Sequence, residues 1–237
     1  MVGEKYGSDS SVPKIVFVGL EGLNKEDCRL DANRNVKEII NTSHKVYNPH
    51  YKGVRYVLAY LLKGIANESQ PQNALKKILE NYNETTKYHA LLNCYKCAFS
   101  NKSQGLTHTN EMKEHCQELL FKEIEILKPD IVVFQVINGR SKDFESNLEN
   151  VFGESQQISG EAKDKKTAAY LFYPQHNQPL IWIWTYHGSS DPERKKRAWV
   201  NDNKNGNVYI NKQLNPVLDK AIEKLKKYRN ILPEKPL

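Results

Sequence analysis

Three short apolar stretches constrain this chain more than any other feature. They are KIVFVGL at residues 14–20, HALLNCYKC at 89–97 and DIVVFQV at 130–136. Each has the length of a strand and is too uniformly apolar to leave one side in water. Each is therefore expected in a sheet covered on both faces. A fourth strand region comes as a pair, TAAYLFY at 167–173 and PLIWIWTYH at 179–187, joined by the turn-like PQHNQ.

Helical patterns fill the intervals: YKGVRYVLAYLLKGIA (51–66), NALKKILENY (73–82), TNEMKEHCQELLFKEIEIL (109–127) and NPVLDKAIEKLKKY (215–228). The third opens on a threonine or asparagine cap with a glutamate in its first turn, and Pro129 stops it. Strands alternating with helices imply the α/β class, as a three-layer α/β/α sandwich around a mainly parallel, four-stranded sheet. Residues 100–108, 153–166 and 201–213 are polar or glycine-bearing and read as connections, none long enough for a domain linker. No internal repeat is visible. A chain of 237 residues, 39% of them hydrophobic, can bury one sizeable core. A single domain over 1–237 is expected, with 1–13 as a flexible N-terminal segment.

The formal charge of +7 and the pI near 9.0 suit a polyanionic partner such as nucleic acid, and equally suit a lysine-rich solubilising surface. No N-terminal apolar stretch has the form of a signal peptide, and no apolar run approaches the roughly 20 residues that span a bilayer. An intracellular location, cytoplasmic or nuclear, away from the membrane is expected. Cys28, Cys94, Cys97 and Cys116 are few for a disulfide scaffold and fit free thiols in a reducing compartment, with a metal site as the competing reading. His44, His50, His108 and His115 show no zinc-ligand spacing.

In open α/β sheets the ligand binds outside the carboxyl ends of the strands. Here those ends carry Gly19-Leu20-Glu21-Gly22, then Asn93, then Gln135 to Asn138, and last His187-Gly188-Ser189-Ser190. A carboxylate, a carboxamide and an imidazole at three such ends can converge on one pocket. Each also has an ordinary structural explanation: Glu21 capping a helical turn, Asn93 holding a loop backbone, His187 satisfied at a strand end.

The order GLEG, LLNCYKC, ELLFKEIEILKPDIVVFQ and WTYHGSS resembles the uracil-DNA glycosylase superfamily over roughly residues 14 to 200. The nearest pattern is that of its iron–sulfur branch. The resemblance implies a DNA glycosylase that flips uracil, or a related deaminated base, out of the helix and hydrolyses its N-glycosidic bond. It implies that Glu21 activates or orients water at the sugar C1′ and that Gly19 and Leu20 bring backbone to the base. Asn93 reads the uracil edge, His187 donates to O2 of the leaving base, and Ser189 contacts phosphate. Tyr51 is the preferred aromatic to stack on the base, ahead of Tyr47 and Phe99. Ser190 and the cations Arg194, Lys195, Lys196 and Arg197 follow as the DNA-binding loop, whose other explanation is a solvated charge run.

These residue types suit that reaction. Breaking the bond builds positive charge on the sugar and negative charge on the base, which a carboxylate and a donor at O2 address. A carboxamide offers an acceptor beside a donor, the pattern uracil presents and cytosine inverts. Pairing hides that edge, so the base must leave the stack, and cations behind the pocket hold the distorted backbone. Gly22 and Gly188 stand where the family motifs have proline. A non-catalytic member of the fold that binds DNA or a protein is the alternative reading. Cys97 and Cys116 match two ligands of the branch's cluster, but residues 1–13 hold no cysteine. No cofactor and no metal are expected, with an iron–sulfur cluster on Cys28, Cys94, Cys97 and Cys116 as the alternative. A monomer that binds DNA is the expected form.

Overall fold

Side-chain parity along the strands decides which helix covers which face of the sheet. The computed structural model describes residues 2–8, 12–19, 49–65, 87–94, 99–101, 105–107, 110–135, 142–160, 167–173, 179–186 and 208–231. In chain order these form β1 (Ile15–Gly19), α1 (Pro49–Ile65), β2 (His89–Asn93), β3 (Phe99–Asn101), β4 (Gly105–Thr107) and α2 (Asn110–Leu127). There follow β5 (Ile131–Phe134), α3 (Lys142–Phe152), β6 (Ser155–Gly160), β7 (Ala168–Phe172), β8 (Leu180–Trp184) and α4 (Asn215–Ile231). A π-helical turn at Ile210–Leu214 leads into α4.

Odd-numbered residues of the central strands, Ile15, Phe17, Ile131, Val133, Ile181 and Ile183, pack with α1 and α4. Their even-numbered neighbours, Val16, Val18, Val132, Phe134, Trp182 and Trp184, pack with α2 and α3. Successive side chains leave a strand on opposite faces, so a run that is apolar at both parities needs helices on both sides. The α/β class follows directly.

The sheet has six strands in the order β2-β1-β5-β8-β7-β6 and is mixed. Strands β2, β1, β5 and β8 are mutually parallel, while β7 and β6 are antiparallel additions beside β8. This corrects the expected four-stranded, mainly parallel sheet. Part of the difference lies in residues 153–166, expected to be a connection, where β6 forms. Its sequence SQQISG has too little apolar alternation to register as a strand, and pairing with β7 creates it. Gly160 ends β6 at φ +86°, where a Cβ would strike Thr167 O and Ala168 Cα, so only glycine fits this pairing.

Other connections are also more ordered than expected. Residues 99–107 contain the antiparallel β3–β4 ribbon, and 208–214 are helical. Helix α3 has no counterpart among the expected elements: Phe144, Leu148 and Phe152 form a stripe only one residue wide in an otherwise polar segment. Gly153 closes that helix at φ +85°, donating to Glu149 O at 2.9 Å. Helix α2 ends at Leu127 and is followed by Lys128, left-handed at φ 45°, just before Pro129. The helix expected at 73–82 lies outside the described residues.

Helices α1 and α4 are tied to one another by Tyr56 Oη donating to Asn215 Oδ1 and Tyr60 Oη donating to Asp219 Oδ1, each at 2.9 Å. Burial, with Asp219 beside it, pushes the Tyr60 hydroxyl up to about 12. At the outer edge of β2, Gly3 N–H donates to His89 O and Lys5 N–H to Lys87 O, which tethers the N-terminal segment there.

Candidate functional site

The connections between the parallel strands locate the part of the sheet edge where a ligand is expected. From β1 the chain crosses over α1's face to β2, on one side; from β2 it crosses by α2 on the opposite face and returns past β1 to β5. Reversing direction and face together preserves the hand of the crossover. The direction therefore switches between β1 and β5. In a sheet of this kind the crevice at the carboxyl ends of those two strands is where ligands bind.

A single row of residues crosses the sheet at that edge. Gly19 is in register with Asn93 of β2. Val18 pairs with Phe134 and Phe134 with Trp184, so one step further Gln135 lies beside Gly19 and Thr185 beside Gln135. The ladder runs on unbroken: Gln135 N–H donates to Val18 O at 2.9 Å, Thr185 N–H to Phe134 O at 2.9 Å, and Cys94 N–H to Gly19 O at 2.8 Å. All four members of the row, Asn93, Gly19, Gln135 and Thr185, have the parity that faces α1 and α4. Two interstrand spacings put the Asn93 and Gln135 backbones about 10 Å apart. Gly19 between them is buried and contributes no side chain to the row.

The polar members of the row differ in how they are satisfied. Asn93 is exposed. Thr185 is buried and donates to Tyr186 O at 3.3 Å. Gln135 is 0% exposed, and among the described residues neither its Oε1 nor its Nε2 has a hydrogen-bond partner. A buried carboxamide without partners carries the full desolvation cost of both its polar groups.

Beyond the row, Tyr209 anchors the chain where β8 ends. Its hydroxyl accepts from Tyr186 N–H at 3.3 Å and shares a 2.7 Å hydrogen bond with Thr167 Oγ1. The Tyr186 ring meets it edge to face at 5.4 Å. Burial holds the Tyr209 hydroxyl well above the usual tyrosine range. This buried tyrosine carries no signal in the sequence, because the segment before α4 reads as a polar connection.

Of the residues singled out by sequence, Gly19 and Asn93 are brought together in register, and Tyr51 falls in the first turn of α1. Cys94 turns away from Asn93 into the cluster under α2 and α3, and Cys116 is buried on α2. Among the described residues no group of three His, Cys, Asp or Glu is placed to hold a metal ion. Leu20, Glu21, Cys28, Cys97, His187, Ser189, Ser190, Arg194, Lys195, Lys196 and Arg197 lie outside the described residues. The sequence marks Gln135 as a strand end but not as a site residue. The available signal is parity, since Gln135 repeats the odd phase of Ile131 and Val133.

A separate cavity of about 280 Å³ opens on the opposite face, lined by Glu145, Glu149, Ser155, Tyr170, Phe172 and Trp184. There Ser155 Oγ donates to Glu149 Oε1 at 2.7 Å. No helix among the described residues is long and apolar enough to cross a membrane. No family model, curated protein or solved structure matches the chain.

Proposed function

We propose that this protein is a DNA glycosylase-like enzyme that removes uracil, or a related deaminated base, by base flipping and water attack. In this reading β2-β1-β5-β8 corresponds to the parallel sheet of the uracil-DNA glycosylase fold, with β6 and β7 as an added antiparallel edge. The observation that carries it is the register of Gly19 with Asn93 beside the switch point between β1 and β5. An exposed carboxamide beside a glycine at a strand end suits a flat heterocycle that must be read along one edge. Glu21, two residues past the end of β1, would orient water, and His187, the residue after Tyr186, would support the leaving base. The chemistry so proposed uses side chains and water alone, with the four cysteines as free thiols. Arg194, Lys195, Lys196 and Arg197 would hold the phosphates, as suits an intracellular monomer acting on DNA.

The test is release of uracil from labelled single-stranded and U·G-containing oligonucleotides by wild type and by Glu21→Gln, Asn93→Ala and His187→Ala. Each variant should lose about a hundredfold or more, the scale of one preorganised electrostatic interaction. A wild type that releases nothing yet binds DNA in a salt-dependent way would instead identify a non-catalytic DNA-binding module. Gly22 and Gly188, in place of the family prolines, favour that second reading. In either case, neutralising the cations at 194–197 should lower the salt slope by about one for each phosphate that the loop no longer neutralises.

A further inference from the structure

We infer that Gln135 is a second ligand-reading carboxamide, set across Gly19 from Asn93, and that it contacts the flipped base in the crevice between β1 and β5. This rests on the glycosylase-like reading of the site. Two independent observations converge on the residue. Its position beside Gly19 is at the point where the sheet's connections reverse, the place where a ligand meets the strand ends. Its side chain is fully buried with both polar atoms unpartnered among the described residues.

An apolar residue of the same size would fill that volume without the desolvation cost, as Val133 and Ile131 do lower on the same face. A glutamine there makes physical sense when something else supplies its hydrogen bonds. The chemical class follows from the group: Nε2 donates and Oε1 accepts, so the complement is a carbonyl beside an N–H on a planar ring. Uracil has that arrangement. Sites that bind through buried polar groups gain much of their selectivity by leaving those groups unpaired against the wrong ligand. Gln135 would thus add to base preference rather than to the electrostatics of bond cleavage.

The experiment compares wild type, Gln135→Met, Gln135→Leu and Asn93→Ala by two readouts on the full chain. One is the thermal midpoint without ligand. The other is affinity for a single-stranded oligonucleotide carrying one uracil, relative to the same strand with an abasic site there. Gln135→Met should raise the midpoint by about 3 °C, because an unsatisfied buried group is removed. It should also lower the uracil preference about tenfold, the worth of one good hydrogen bond. Gln135→Leu serves the same purpose should the methionine pack poorly. A residue held for structure alone would lower the midpoint, and that result overturns the inference. So does an unchanged uracil preference in Gln135→Met when Asn93→Ala loses it, which would assign the carboxamide to a bound water. A wild type that does not distinguish uracil from the abasic strand would overturn the reading of the whole site.

Discussion

The two ends of β5 treat their polar residues in opposite ways. At the amino end Asp130 is surrounded by donors: its Oδ2 accepts from Lys14 N–H at 2.6 Å and from Arg229 Nη2 at 3.0 Å. Its backbone joins the ladder on both sides, to Lys14 O and from Ile181 N–H. Five residues on, roughly 16 Å away along the strand, Gln135 is more deeply buried and has no partner among the described residues. Asp130 ties β1, β5 and α4 together, so its polarity serves the fold. Gln135 contributes no such tie, and its burial costs the fold the desolvation of both polar groups. Such contrasts between a satisfied and an unsatisfied buried group mark where the fold's own hydrogen bonds account for a polar residue and where they do not.

The apolar stretch between the two ends sets the scale for that comparison. Phe134 is buried, packs 4.6 Å from Trp184 and 5.6 Å from Trp182, and has no polar role. Phe134→Ala should cost about 4 kcal/mol by urea denaturation, through reduced burial and the cavity left behind. A loss under about 1 kcal/mol would show that this core repacks freely and that its burial pattern carries little information.

Asp130→Ala comes next. It removes the acceptor of Lys14 N–H and of Arg229 Nη2, each partly shielded, and should lower stability by about 2 kcal/mol. Combined with Gln135→Met, which has the opposite sign, the effects should add within about 0.5 kcal/mol, because the sites lie roughly 16 Å apart along the strand. Strong coupling between the two would break the division of labour along β5.

Tyr209→Phe should have the smallest effect, about 1 kcal/mol, from removal of the hydrogen bonds to Thr167 and Tyr186 N–H. It sharpens the comparison through pH. The folded tyrosine keeps its proton above its ordinary value near 10, whereas the unfolded one releases it. The folded state then binds more protons, so stability is fully present below about pH 10 and falls as pH rises further. The phenylalanine variant should show a shallower alkaline decline; an identical profile would assign the decline to other groups such as Tyr60.

How much of this is legible in the sequence depends on whether the signal is local. IVFVG, HALLN, IVVF, AAYLF and LIWIW are strands because each is buried along nearly its whole length, and an unbroken apolar run records that condition directly. Helices α1, α2 and α4 show broad apolar faces and are equally plain. Helix α3 carries its stripe on three residues, and β6 carries almost none, because an edge strand at the protein surface owes its existence to one neighbour.

For the candidate site, the residue types at the strand ends stand in the sequence: a glycine after one run, an asparagine in the next, a glutamine after the third. Their phase can be read as well, since parity along a strand is a local property. What only the tertiary structure decided is adjacency. The order β2-β1-β5-β8 sets Gly19 between Asn93 and Gln135, and burial leaves the glutamine with no hydrogen-bond partner among the described residues. Strand order arises from contacts between segments tens of residues apart, formed only when the crossovers close. A local pattern can specify that a strand exists and which way its side chains face, but not which strand lies beside it.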